Sequence, residues 1–154
     1  MYNVSEFSFR KIGSNSKENI GFLTPIEENK DIPFEIKRVY YIYGVSGEAV
    51  RGGHSHKALH QVLICVSGSV DIKIKNYFGE NTYHLDDPSK GLYIGPDNWR
   101  EMSNFSEGSV LLVLASEKYD ENDYTRDYDS FIQYIEGKYG NNSSKKLIDR
   151  SNKK

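Results

Sequence analysis

The feature that most restricts the fold of this chain is a pattern in which residues of similar type recur at every second position. In residues 70–75 every second residue is Val or Ile, and the residues between them are Asp or Lys. Residues 36–43 repeat the period, with Ile36, Arg38, Tyr40 and Ile42 on one side. Because successive side chains of a strand point to opposite faces, both segments are predicted to be half-buried strands. Further strands are predicted at 21–26, 61–67, 82–85, 92–94, 99–104 and 110–114, the last apolar on both faces and therefore central.

The composition and the rest of the pattern agree with an all-β fold. Twelve Tyr, seven Phe and 13 Gly suit short strands and tight turns. Only Tyr128, Phe131, Ile132 and Ile135 recur at helical spacing, after an acidic stretch at 117–129 that is predicted to be a solvated loop and helix cap rather than a metal site. The expected architecture is a sandwich or small barrel of the jelly-roll type with a short C-terminal helix.

Length and charge limit the organisation and the class of partner. With 154 residues and a formal net charge of −2, the chain is expected to form one domain, residues 1–136, followed by a polar, basic and disordered tail, residues 137–154. The balanced charge disfavours a nucleic-acid partner. The sequence has no run of about 18 apolar residues and no signal-peptide pattern, so we expect a cytoplasmic protein without a membrane partner. The one cysteine, Cys65, is expected to be a core residue.

A histidine pair is the most informative candidate for chemistry. Residues 51–56 read Arg-Gly-Gly-His-Ser-His, which would place His54 and His56 two positions apart if this stretch is a strand. Two such side chains share one face. If that face lines the barrel, burial and neighbouring groups can tune the imidazoles for proton transfer near neutral pH.

This stretch resembles the first motif of the cupins, which carries His-x-His, a glutamate and then a glycine. Here Gln61 takes the place of the glutamate and Gly68 that of the glycine. The second cupin motif falls near 91–96 and lacks its histidine, with Arg100 and Glu101 nearby instead. A neutral amide is a poor substitute for a carboxylate ligand, and two histidines rarely hold a transition metal. We therefore expect no metal and no cofactor.

A more specific resemblance covers most of the chain, from about residue 7 to residue 135. The matching segments are KRVYYI at 37–42, RGGHSHK at 51–57, QVL at 61–63, GLYIGP at 91–96, Trp99, Glu101-Met102 and Tyr119-Asp120-Glu121. Together they resemble the sugar 3,4-ketoisomerases, or WxcM-like cupins. The resemblance implies a metal-free enzyme that moves the ketone of dTDP-4-keto-6-deoxyglucose from C4 to C3 for 3-amino sugars of bacterial surface polysaccharides such as O-antigens and S-layers. It also implies a homodimer with exchanged strands.

The resemblance also implies roles for individual residues. His54 is predicted to be the base at carbon, His56 its partner for the oxygen protons, and Tyr40 a donor to the developing oxyanion. Gln61 is expected to share the histidine face and to orient His56. The predicted substrate-binding residues are Arg51, Arg38, Gln61, Trp99, Tyr93 and Glu101.

Two departures from the family and several alternatives stay open. An early Arg-Gly of the family is replaced by Ile20-Gly21, so the configuration at C4 of the product is not carried over. The second departure is Arg100, which stands where a histidine commonly follows the tryptophan. Alternation puts Arg100 outside the cavity if Trp99 faces it. The alternatives are a metal-dependent cupin enzyme, a 3,5-epimerase of a nucleotide 4-keto sugar, and a sugar-nucleotide binding module without catalysis.

Overall fold

The computed structural model describes residues 3–13 and 21–140, which form strands and one C-terminal helix. The strands are β1 Val4–Ser8, β2 Ile12–Gly13, β3 Phe22–Leu23, β4 Arg38–Tyr43, β5 Arg51–His56, β6 Gln61–Ser67, β7 Val70–Asn76, β8 Gly79–Leu85, β9 Lys90–Ile94, β10 Trp99–Ser103, β11 Val110–Ala115 and β12 Tyr124–Thr125. A 3-10 helix spans Glu121–Asp123, and helix α1 spans Tyr128–Tyr139.

Two antiparallel five-stranded sheets build the barrel. Their strand orders are β1-β9-β6-β11-β4 and β12-β5-β10-β7-β8, while β2 and β3 pair separately as a hairpin. The non-consecutive neighbours in both sheets are those of a jelly roll. The predicted all-β jelly-roll class with one short C-terminal helix is confirmed.

The core between the sheets follows the period of two that the sequence shows. Val70, Ile72 and Ile74 of β7 are fully buried, and they pack in one cluster with Cys65 and Val113 from the opposite sheet. Burying an aliphatic side chain of this size contributes about 1.5–3 kcal/mol, so this face holds the two sheets together.

Some element boundaries differ from the predictions. The strand expected at 21–26 is reduced to Phe22–Leu23, because only these residues pair with β2. Strand β11 lies inside its sheet, between β6 and β4, but β6 is the middle strand. Strand β1, which pairs with β9, has no counterpart among the predicted strands.

Helix α1 covers one outer surface of the barrel. The Asp127 side chain caps it by accepting a hydrogen bond from the amide of Ser130 at 2.8 Å, as the acidic stretch predicts. Phe131 and Ile135 are fully buried and pack against Trp99. The helix includes residues 137–139 of the expected tail, and residues 141–154 lie outside the described residues. None of the helices in the described part of the chain is long and apolar enough to cross a membrane.

Candidate active site

The histidine pair lies on β5, with both rings on the barrel side of the strand. The ring centroids of His54 and His56 are 4.9 Å apart and the ring planes meet at 85°. His56 is 1% exposed, whereas His54 is half-buried and lines a cleft. The two rings share a face because they alternate with Ser55 along the strand.

Tyr124 closes one side of the pair. Strand β12 adds to the edge of β5 and brings Tyr124 opposite His56 in register. The Tyr124 ring centroid lies 4.2 Å from that of His56 and 5.1 Å from that of His54. This packing keeps water from that side of both imidazoles.

Asp123 fixes the orientation of His56. Its Oδ2 lies 3.0 Å from His56 Nδ1, and its Oδ1 accepts a hydrogen bond from the amide of Ala58 at 2.8 Å. An ionised carboxylate only accepts hydrogen bonds, so Nδ1 of the neutral imidazole carries the hydrogen and Nε2 carries the lone pair. His56 Nε2 is buried and makes no hydrogen bond to any of the described residues.

Arg100 places a positive charge inside the barrel. It is fully buried, it is opposite His54 in the register of β5 and β10, and its Nη2 donates to the Asn98 carbonyl at 3.2 Å. Its Nη1 donates to the side-chain oxygen of Gln61. None of the ion pairs among the described residues involves Arg100. A buried guanidinium without a carboxylate partner favours an anion beside it.

The charge and the burial determine the protonation of the site. Burial, and after it the charge of Arg100, lower the pKa of His54 to about 4. The same two causes hold the pKa of His56 well below its usual value. Burial raises the pKa of the Tyr40 phenol and lowers that of Arg100 to about 10. At pH 7 both imidazoles are therefore neutral and can accept protons, while Tyr40 and Arg100 keep theirs.

A cleft of about 290 Å³ opens over His54 and carries three arginines. It is lined by Arg38, Tyr40, Ile42, Arg51, Gly52, His54, Met102, Tyr124 and Arg126. Arg126 is held by Glu121 at 2.6 Å and lies 4.3 Å from the Tyr124 ring centroid. A larger cleft of about 620 Å³ lies beyond Tyr124 and Arg38, and it has no histidine among its lining residues. The smaller cleft can hold an anionic ligand against a base.

Gln61 is in the cavity but does not contact His56. Its Nε2 donates to the Tyr40 hydroxyl at 2.9 Å, and its oxygen accepts from Arg100. The expectation that Gln61 orients His56 is wrong, because Asp123 makes that contact. The amide at the cupin glutamate position is thus already engaged, and no group of three His, Cys, Asp or Glu side chains among residues 3–13 and 21–140 is arranged to hold a metal ion.

Three predicted substrate-binding residues lie away from the histidine pair. Trp99 packs beneath α1, and its Nε1 donates to Glu101 at 3.1 Å on the same outer face. Tyr93 lies on the outside of the other sheet, where its hydroxyl is 2.7 Å from His60 Nδ1. The alternation along β10 explains where Trp99 and Glu101 lie, since Arg100 between them points inward and they therefore point outward.

Sequence reasoning missed Asp123, Tyr124 and Arg126 as parts of the site. The signal was the acidic segment at 117–129, which is a loop and cap as predicted but also folds back over β5. Strand β12 has two residues, which is too short for a periodic pattern. Only its pairing with β5 shows that this loop reaches the histidines.

A jelly-roll barrel that carries one buried and one half-buried neutral imidazole side by side defines a cupin-type protein. Residues 3–136 match the family model FdtA, described as WxcM-like, C-terminal. The chain belongs to this family, the sugar 3,4-ketoisomerases, and is an enzyme of the isomerase class.

Two relatives carry this assignment. The TDP-4-oxo-6-deoxy-alpha-D-glucose-3,4-oxoisomerase of Aneurinibacillus thermoaerophilus is 54% identical over 117 residues, which are 75% of this chain and 83% of that protein. The 3,4-ketoisomerase QdtA of Thermoanaerobacterium thermosaccharolyticum, crystallised as a His-to-Asn variant with TDP-4-keto-6-deoxyglucose, is 54% identical with a TM-score of 0.85, covering 90% of this chain and 98% of QdtA.

Epimerases share the fold at much lower sequence identity. The dTDP-4-dehydrorhamnose 3,5-epimerase of Bacillus anthracis is 14% identical with a TM-score of 0.67, covering 80% of this chain and 77% of the epimerase. At that identity the likeness concerns the barrel alone. The relatives therefore favour the prediction of a ketoisomerase over the alternative of an epimerase.

Proposed function

We propose that this chain is a metal-free 3,4-ketoisomerase that moves the ketone of dTDP-4-keto-6-deoxyglucose from C4 to C3. The observation that carries the proposal is the neutral pair His54 and His56, with ring centroids 4.9 Å apart, of which His54 lines a cleft that carries three arginines. The 54% identity to an oxoisomerase and to QdtA supports the same substrate and reaction.

Proton transfer next to a ketone explains why a pair of bases is needed. The proton on C3 is acidified by the C4 carbonyl, and His54, which lines the cleft, accepts it. The C–H electron pair forms the C3=C4 bond, and the carbonyl pair moves onto the C4 oxygen to give an enediolate. The histidine returns its proton to C4, and the proton of the C3 hydroxyl passes to the C4 oxygen, so that the product is a 3-ketone with a C4 hydroxyl. His56, held by Asp123, serves the oxygen protons.

Electrostatic stabilisation of the enediolate is assigned to Arg100 and Tyr40. Arg100 is opposite His54 in the register of β5 and β10, and Tyr40 lines the same cleft as His54, so both groups are in place before the negative charge develops. Arg38, Arg51 and Arg126 line the cleft and are assigned to the diphosphate. The Nε of Arg38 is buried and has no hydrogen-bond partner among the described residues, which supports its assignment.

We also propose a homodimer with exchanged strands. The outer face of the edge strand β4 exposes Val39, Tyr41 and Tyr43, and the β2–β3 hairpin exposes Phe22 and Leu23. Apolar side chains grouped in this way commonly mark an interface between chains. We propose that the enzyme works in the cytoplasm and supplies a 3-keto sugar that an aminotransferase converts to a 3-amino sugar of a surface polysaccharide.

The test is incubation with dTDP-4-keto-6-deoxyglucose in heavy water, with NMR of the product. We expect the ketone signal to move from C4 to C3, with deuterium at C4. His54→Asn should reduce turnover at least about 100-fold because it removes the base. The matched control is His84→Asn, since His84 is on the surface and bonds Asp71.

Other results of the same experiment would overturn the proposal. Deuterium at C5 with inversion there would identify an epimerase. Binding of the nucleotide sugar without any exchange would identify a binding module. Turnover that is lost with a chelator and restored by a metal ion would identify a metal-dependent cupin.

A further inference from the structure

Gln61 lies between two residues of the site that do not hydrogen-bond each other directly. It is 1% exposed at the start of β6, in register with Ile94 and Ala115 of the neighbouring strands. Its two amide atoms bond the Tyr40 hydroxyl and the Arg100 guanidinium. The three side chains therefore form one buried chain of hydrogen bonds.

The chemistry of Arg100 fixes the direction of that chain. A guanidinium has only donors, so the atom of Gln61 that faces it must be the carbonyl oxygen. The amide nitrogen must then face Tyr40, and it donates to the phenol oxygen at 2.9 Å. Because the phenol oxygen accepts this bond, the hydrogen of the Tyr40 hydroxyl is not used in it.

The hydroxyl hydrogen of Tyr40 is available to a ligand in the cleft where the reaction is proposed to take place. Tyr40 lines the same cleft as His54, and its hydroxyl donates to none of the described residues. A hydrogen bond received from a polarised amide also makes a hydroxyl a better donor to its own acceptor. The arrangement thus favours a ligand oxygen in the cleft as that acceptor.

We infer that Gln61 is a positioning residue that keeps the Tyr40 hydroxyl directed as a donor to the substrate oxygen that becomes the oxyanion. The inference rests on the proposed ketoisomerase function and adds a residue to it. When the C3–H bond breaks, the proton goes to the histidine and the electron pair ends on the carbonyl oxygen, which accepts the Tyr40 hydrogen bond. No proton passes through Gln61.

Gln61→Glu tests this with little change in shape. A carboxylate accepts from both Arg100 and Tyr40, so the phenol hydrogen turns toward position 61 and away from the cleft. We expect kcat to fall at least about 100-fold, as for loss of one oxyanion donor, with KM changed less than about threefold. The control is Gln133→Glu on the exposed side of α1, which should keep wild-type kinetics.

A double-variant cycle separates this role from a merely structural one. If Gln61 acts through Tyr40, Gln61→Glu lowers kcat by a much smaller factor in the Tyr40→Phe background than in the wild-type background. The loss that remains is the part that passes through Arg100, whose charge the new carboxylate pairs. Losses that multiply, or a Gln61→Glu variant within about twofold of wild type, would overturn the inference. The assays include a chelator, so that a metal ion captured by Glu at 61 together with His54 and His56 does not alter the rates.

A spectroscopic arm distinguishes failure of this inference from failure of the proposed function. Phenol titration near 295 nm, with Tyr40→Phe subtracted, reports the ionisation of Tyr40 without any substrate. In Gln61→Glu the phenol should ionise at higher pH, because it gives its hydrogen to a carboxylate. An unchanged titration overturns the inference even if the wild-type protein shows no turnover of the sugar. Absence of turnover by the wild-type protein, in contrast, overturns only the ketoisomerase proposal.

Discussion

Replacing Asp123 by Asn is the most direct test of how the site controls its histidines. The wild-type carboxylate accepts from both the amide of Ala58 and Nδ1 of His56. An asparagine keeps the bond from Ala58 with its oxygen and then presents its NH2 group to the imidazole. His56 must therefore accept at Nδ1 and carry its hydrogen on Nε2, which removes the lone pair from the side facing the cavity.

The size of the effect follows from the hydrogen bond that is lost. To regain the active tautomer, His56 must give up its bond to the asparagine and leave its buried Nδ1–H group without an acceptor, which costs about 1–3 kcal/mol. Each 1.36 kcal/mol corresponds to a tenfold change in rate. We expect kcat to fall about 10- to 100-fold, with KM and the free energy of unfolding nearly unchanged because the asparagine retains both contacts.

The assay combines steady-state kinetics with nitrogen-15 NMR of the imidazoles, which distinguishes the two tautomers of His56. Asp120→Asn is the matched control, since Asp120 lies in the same loop and caps the 3-10 helix by accepting from the amide of Asn122. Wild-type kcat in Asp123→Asn, or an altered tautomer without an effect on kcat, would refute the reasoning.

Two further predictions concern pH and assembly. The pKa of His54 is 6.5 in a free chain and about 4 in the folded protein, so between these pH values the unfolded state binds one proton more than the folded state. The free energy of unfolding should therefore decrease by roughly 3 kcal/mol as the pH falls from 6.5 to 4. Urea unfolding of His54→Asn should show a weaker decrease, and an identical one would contradict the assignment. Tyr41→Lys should weaken a dimer about 10- to 100-fold, from the loss of about 1.5–3 kcal/mol of apolar burial, as measured by light scattering. Phe78→Lys, in the turn between β7 and β8 of the other sheet, should not weaken it, and equal effects would argue against the β4 face.

Most of the long strands could be predicted from the sequence, because the alternation of side chains along a strand depends only on neighbouring residues. Residues 70–75 predict both the strand β7 and which of its side chains are buried. The strands at the edges of the sheets were harder to predict, since β1 and the short strand β12 exist only through pairing with strands that are distant in sequence.

In the candidate site, too, some features could be predicted from the sequence and others could not. His54 and His56 are two residues apart on one strand, so their shared face follows from the sequence. Trp99 and Arg100 alternate as predicted, but the sequence does not say which of them points inward. The helix α1 decides it by packing its apolar side on Trp99, which leaves Arg100 inside the barrel.

The sequence by itself therefore determined most of the long strands, the jelly-roll class and the histidine pair, because each depends on spacing along one segment. Only the tertiary structure decided which groups surround the pair. Asp123 and Tyr124 come from a loop that folds back 67 and 68 positions after His56, and Gln61 meets Arg100 39 positions away. Such contacts depend on long-range chain crossing, and the protonation of the imidazoles depends on the burial and charge that those contacts supply.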